Sequence, residues 1–184
     1  MRTQSIGGAL NRSGRAKFQR LKACIAAHPF VKGLSARHLA TLALYSSETE
    51  FGPGERIFRE GEPANRFYLI IEGNVALEAR AQNASPVLIQ SIGAGDVLGW
   101  SWLFEPYVWH FDARAVEPTR AIFFYGTWLR DQCEEDHDFG SQVMKRVAAV
   151  LIERLQAERR RLLEASDAED TTCFQSDDNG RHNS

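Results

Sequence analysis

Between Gly99 and Arg114 the chain reads GWSWLFEPYVWHFDAR, which gathers Trp100, Trp102, Phe104, Tyr107, Trp109, His110 and Phe111 around one proline. Three of the four tryptophans fall in this stretch. Rings of this size bury much apolar area and offer π faces, while their indole N–H and imidazole groups need hydrogen-bond partners. The chemistry open to such a segment is that of a core, a protein interface or a ligand cage, with His110 able to carry a proton or ligate a metal.

No catalytic constellation accompanies the rings. The sequence holds no GxSxG, HExxH or P-loop pattern, so a non-enzyme without catalytic residues is expected. Cys24, Cys133 and Cys173 are odd in number, far apart and in no CxxC or Cys/His spacing, which argues against a disulfide scaffold, a structural zinc and an iron–sulfur cluster. No metal is expected. His110 beside the rings raises haem ligation, but a lone histidine is more often a satisfied structural residue, and haem is not expected. The run Glu134, Glu135, Asp136, His137, Asp138 reads as a helix start, where carboxylates complement the macrodipole. Arg159, Arg160 and Arg161 read as a solvated helix face.

With 184 residues, 43% of them hydrophobic and 25% charged, the chain suits one globular domain. A net charge of -2 gives no bulk attraction to nucleic acid. The charge is uneven, because no acid precedes Glu48 while Glu164, Asp167, Glu169, Asp170, Asp177 and Asp178 crowd the end. No apolar run approaches the roughly 18 to 20 residues that span a bilayer, and the start lacks the apolar centre of a secretory signal. No membrane association and a cytoplasmic location are expected.

The elements that must position the rings follow from period and punctuation. Residues 1–15, with Gly7, Gly8 and Gly14, read as a flexible basic arm. From Ala16 to Leu44 apolar residues recur at helical spacing, broken at His28-Pro29 and Gly33, with Ser35 as an N-cap before ARHLATLAL. Short strand-forming runs follow near 45–51, 55–59, 67–72, 74–80, 86–92, 110–117 and 119–125, punctuated by glycine, proline and asparagine. Helix returns near Gly126, and one long helix is expected over 138–165. Along it Met144, Ala148, Leu151, Leu155 and Leu162 keep three- and four-residue steps, the seam of a helix that packs on a partner helix. Residues 166–184 read as a disordered acidic tail, which leaves 16–165 as the folded domain.

The order GERIFREGEPANRFYLIIEGNVAL, IGAGDVLGWSWL, DARAVEPTRAIFF and a long terminal helix resembles the cyclic-nucleotide-binding domain of the Crp/Fnr superfamily. The resemblance covers roughly residues 28 to 163 and is carried by the ordered glycines Gly54, Gly61, Gly73, Gly95 and Gly99. It implies an α+β fold: an antiparallel β jelly-roll barrel with flanking helices and a long C-terminal helix. It implies a sensory, signal-transducing regulator that binds a cyclic nucleotide such as cAMP and signals through a homodimer or a partner protein. The helix-turn-helix that often follows this domain in transcription regulators is not seen, so direct DNA binding is not expected.

In that family a short helix between two strands forms a phosphate-binding cassette. Helix N–H groups and an arginine hold the cyclic phosphate, and a glutamate one residue after a glycine holds the ribose. Setting Gly99 on the cassette glycine and Asp112-Ala113-Arg114-Ala115 on the last motif places Trp100 at the ribose glutamate, Trp109 at the phosphate arginine and His110 beside it. The candidate ligand residues are therefore Gly99, Trp100, Ser101, Trp102, Trp109, His110 and Phe111, with Gly73 and Arg114 in support. Two readings stay open: a ligand-sensing module with an altered cassette, and a ligand-free dimeric scaffold whose pocket the rings fill.

Overall fold

A computed structural model describes residues 12–79 and 85–176, and the surroundings of side chains over 14–79 and 85–164. The chain runs α1 (Arg12–Ala27), a short 3-10 turn (Pro29–Val31), α2 (Ala36–Leu44), β1 (Ser46–Phe51), β2 (Arg56–Phe58), β3 (Arg66–Glu72), β4 (Asn74–Ala79), β5 (Val87–Gly93) and β6 (Val97–Leu98). A second 3-10 turn (Trp100–Leu103), β7 (Asp112–Ala115), β8 (Thr119–Tyr125), α3 (Gly126–Glu135) and α4 (His137–Ser176) complete it. Contacts divide the chain into one unit that ends at Gln142 and a second that begins at Val143.

The strands form two four-stranded antiparallel sheets, ordered β1-β8-β3-β6 and β2-β7-β4-β5. Because β3 and β4 are joined by a tight corner yet belong to different sheets, the chain wraps two layers around one core, as a jelly roll does. Period-2 alternation fills the space between the layers. Tyr68 and Ile70 from β3, Val75 and Leu77 from β4, Ile92 and Leu98 belong to one buried cluster. Fully burying a side chain of this size contributes about 1.5–3 kcal/mol, so the cluster is the main source of cohesion for the barrel.

Phe67, on the alternate side of β3, meets Phe30 at 5.1 Å and Trp102 at 5.9 Å between ring centroids. Both 3-10 turns therefore lean on this strand. Ser35 caps α2 as expected, its hydroxyl oxygen accepting from the His38 N–H at 3.1 Å.

Three boundaries differ from the sequence reading. Helix α1 begins at Arg12, inside the stretch 1–15 read as an arm, and the rest of that stretch lies outside the described residues. Helix α4 continues to Ser176 through the first part of the stretch read as a tail, because no glycine or proline interrupts it there; residues 177–184 lie outside the described residues. The two-residue strand β6 is too short to leave a period in the sequence. On α4, Met144, Ala148, Leu155 and Leu162 of the predicted seam are exposed and Leu151 is half-buried. Among the described residues no helix is long and apolar enough to cross a membrane.

Candidate functional site

Strand β6 delivers the backbone to Gly99, which adopts φ 85°, a left-handed conformation open to glycine at little cost. A Cβ there would lie 2.9 Å from two ring carbons of Trp109 and 3.0 Å from the Arg66 carbonyl oxygen. Glycine is thus needed both for the turn and for the close approach of the indole. The 3-10 turn that follows points its residues in different directions.

Trp102 is turned inward and is completely buried, its ring against Phe67 and its indole N–H without a hydrogen-bond partner. Trp100 is half-buried on the outer side, with the rings of Phe104 at 6.1 Å and His110 at 6.2 Å. Ser101 is buried and places its Oγ 3.2 Å from His110 Nδ1, while the His110 ring is exposed.

The return half of the segment is held by main-chain bonds to residues 61–64. Ala64 N–H donates to the Tyr107 carbonyl at 2.7 Å, Trp109 N–H to the Glu62 carbonyl at 2.9 Å, and Gly61 N–H to the Trp109 carbonyl at 2.8 Å. Tyr107 has φ 56° and lies under the Arg130 guanidinium, whose central carbon is 4.2 Å from the ring centroid. Arg130 Nη1 also donates to the Trp102 carbonyl at 2.6 Å.

Trp109 enters the barrel. It is 3% exposed, stacks on Phe58 with centroids 3.9 Å apart, and belongs to the same buried cluster as Tyr68 and Val75. Gly99, Trp100, Ser101, Trp102, Trp109 and His110 are therefore assembled in one place, and half-buried Phe111 leads from it into β7. Gly73 and Arg114 are not part of that assembly. Gly73 closes the β3–β4 corner, where a Cβ would meet the Pro118 carbonyl oxygen and Thr119 Oγ1 at 2.5 Å, so its tie is to the β7–β8 turn. Arg114 forms a two-pronged pair with Glu78 on neighbouring β4, and that hydrogen bonding raises the guanidinium pKa further. Its role is to satisfy a largely buried carboxylate.

Sequence reasoning missed Phe58, Arg130 and the Gly61–Ala64 strap. Only main-chain atoms of the strap are used, which leaves no side-chain signature, and Phe58 and Arg130 are far from the segment in sequence. Elsewhere, the acidic run does not all begin a helix as read: Glu134 and Glu135 end α3, and only Asp136 and the residues after it open α4. Asp136 Oδ1 accepts from the Phe139 N–H at 3.1 Å and Oδ2 faces His38 Nε2 at 3.2 Å, with Arg37 at 3.7 Å. The main-chain bond is the chief cause that holds this carboxyl below its ordinary range; burial opposes it, and His38 and Arg37 add to the lowering. His38, Asp136 and Asp138 each bring one donor atom within 4.8 Å of the others, and Arg37 supplies positive charge beside them. Burial pushes the Cys133 thiol up to about 11, which keeps it protonated and unreactive.

A family model described as the cyclic nucleotide-binding domain matches residues 48–136. The chain is 33% identical to the crystal structure of a putative cyclic nucleotide-binding protein from Geobacter metallireducens, over 74% of this chain and 96% of that one, with a TM-score of 0.64. It is 26% identical over 117 residues to the CRP-like cAMP-activated global transcriptional regulator of Mycobacterium tuberculosis, covering 64% of this chain and 52% of that protein. The chain thus spans about half the length of that curated relative. The regulatory subunit of a cAMP-independent protein kinase A from Trypanosoma brucei shares the fold, at 22% identity over 82% of this chain and 53% of that one and a TM-score of 0.64.

Proposed function

The chain belongs to the cyclic nucleotide-binding domain family, related to CRP-like regulators, and from that premise we propose a regulatory, non-catalytic module whose nucleotide position is filled by its own Trp109. Its output runs through the α4 stripe to a second copy or a partner protein. The observation that carries this reading is the burial of Trp109 flat on Phe58, behind Gly99.

The chemistry supports it. With Gly99 as the cassette glycine, Trp109 takes the place of the arginine that neutralises phosphate, and Trp100 that of the glutamate that holds ribose. Losing two charge-assisted hydrogen bonds removes about 1.5–3 kcal/mol each, which weakens a nucleotide by a hundredfold or more. Arg114 offers no replacement while Glu78 holds it. A ligand reaching the phosphate position must also displace a buried indole from its stack. The Trypanosoma brucei protein, described as cAMP-independent, gives an example of this fold working without that ligand.

A second reading, a sensor that still takes a ligand, draws support from the outer edge of the segment. Exposed His110, backed by the buried Ser101 hydroxyl, and half-buried Trp100 present an imidazole and an indole face. Titration separates the two readings. With cAMP or cGMP raised to millimolar concentration, the filled-pocket reading expects unchanged Tm and unchanged tryptophan fluorescence; a rise in Tm with a fluorescence change establishes the sensor, because a ligand well above its Kd must stabilise the native state.

A further inference from the structure

We infer that Arg130 is a positioning residue that clamps the aromatic segment to α3, so that the segment and this helix move as one body. The clamp has three parts, all within the unit that ends at Gln142. Arg130 Nη1 donates to the Trp102 carbonyl at 2.6 Å, which anchors the 3-10 turn. The same guanidinium covers the Tyr107 ring at 4.2 Å, which anchors the return half of the segment. One helical turn before Arg130, Gly126 leaves room for the Trp102 side chain, whose Cβ lies 2.7 Å from where a Gly126 Cβ would be.

Positions 126 and 130 share one face of α3, since residues four apart in a helix lie one above the other. That face therefore holds Trp102 by its side chain and by its carbonyl at once. A lysine could supply the charge but not the planar fork that bonds a carbonyl while stacking on a ring. Tyr107 is pinned on its far side as well, because its carbonyl accepts from Ala64 and its N–H donates to Phe104. A displacement of either half of the segment is passed to Arg130. From there α3 leads to Asp136, the residue that caps the first turn of α4.

The inference deepens the proposed function by naming the way out of the aromatic segment, and it rests on that reading only for the role given to α4. Its test uses hydrogen exchange of the whole chain without any nucleotide, so its failure leaves the filled-pocket reading standing and the converse also holds. Tyr107→Ala alters only the segment. It is expected to speed exchange of α3 amides from Leu129 to Glu135 by about tenfold while those of Val75 to Leu77 stay unchanged. In Arg130→Met protein the α3 amides exchange faster from the start, and adding Tyr107→Ala changes them no further. If Arg130→Met does not fold, Arg130→Gln serves as the second background, since it keeps an N–H donor and removes the cation over the ring. Unchanged α3 exchange in Tyr107→Ala, or an equal increment with and without Arg130, overturns the clamp.

Discussion

The Trp109 indole lies on the Phe58 ring with centroids 3.9 Å apart and planes 13° from parallel. The stack joins the aromatic segment to β2 and converts a surface loop into part of the barrel core. Aromatic pairing of this kind adds about 0.5–1.5 kcal/mol to the value of the buried area itself.

Replacing Trp109 should therefore behave as a core mutation rather than as loss of a surface contact. Trp109→Ala is expected to cost about 3–5 kcal/mol, and Trp109→Phe clearly less because the stack on Phe58 partly survives. Urea denaturation measures both. The midpoint should fall with an unchanged m value, and a near-neutral Trp109→Ala would contradict the burial of the ring.

How much of this was legible in the sequence depends on the residue. The ordered glycines and the strand runs carried the two-layer barrel, and Ser35 marked the start of α2. Register placed Trp100 and Trp109 together, but a ring's identity does not say whether it turns inward. That is decided by Phe58 and by the missing side chain of Gly99, contacts between residues distant in sequence. Arg114 stood only as a supporting candidate for a ligand, and Glu78, across a strand pairing, engages it. The strap at 61–64 works through main-chain groups that every residue except proline possesses in full, so no residue type could announce it.

His28 makes stability fall on mild acidification. Its Nδ1 accepts from the Phe30 N–H at 3.3 Å, which requires an unprotonated nitrogen, and burial holds its pKa below 6.5 despite the raising influence of nearby Ile70 and Asp96. Between the lowered folded value and the ordinary unfolded one, the unfolded chain binds more protons. The contribution is present above about pH 6.5 and is lost as pH falls towards the folded value. His28→Asn keeps a capping acceptor but does not titrate, so the stability difference between wild type and variant should shrink from pH 7.5 to pH 5.5 in urea titrations. A constant difference would remove His28 from the account.

Asp136 acts at lower pH. Its carboxylate is favoured first by the Phe139 N–H and then by His38 and Arg37, so its folded pKa lies below its unfolded one. The contribution is complete above the ordinary aspartate range near pH 4 and is lost as pH drops through the folded value. Asp136→Asn retains an acceptor for the cap but no charge. Thermal scans from pH 7 to pH 3 should show wild type more stable at the upper end and the two proteins converging at the lower; parallel curves would mean that the charge contributes nothing.

The open stripe on α4 makes an argument about assembly. Leu155 and Leu162 are each 72% exposed and Met144 is 45% exposed, in line with Ala148 and half-buried Leu151 at the steps of a coiled-coil seam. Apolar residues repeating along one line of a helix are stabilised when a second helix covers them, and a copy of the same helix presents the matching line under twofold symmetry. Light scattering should then report a dimer, and Leu151→Glu should reduce it to monomer mass by placing a charge inside the seam. The control Glu153→Gln, also on α4 but off the seam, should leave the mass unchanged. Dimer stability must rise with protein concentration, whereas the barrel variants described above should shift Tm equally at every concentration. Monomer mass in the wild type, or a dimer indifferent to Leu151→Glu, would move the output of this module away from the α4 stripe.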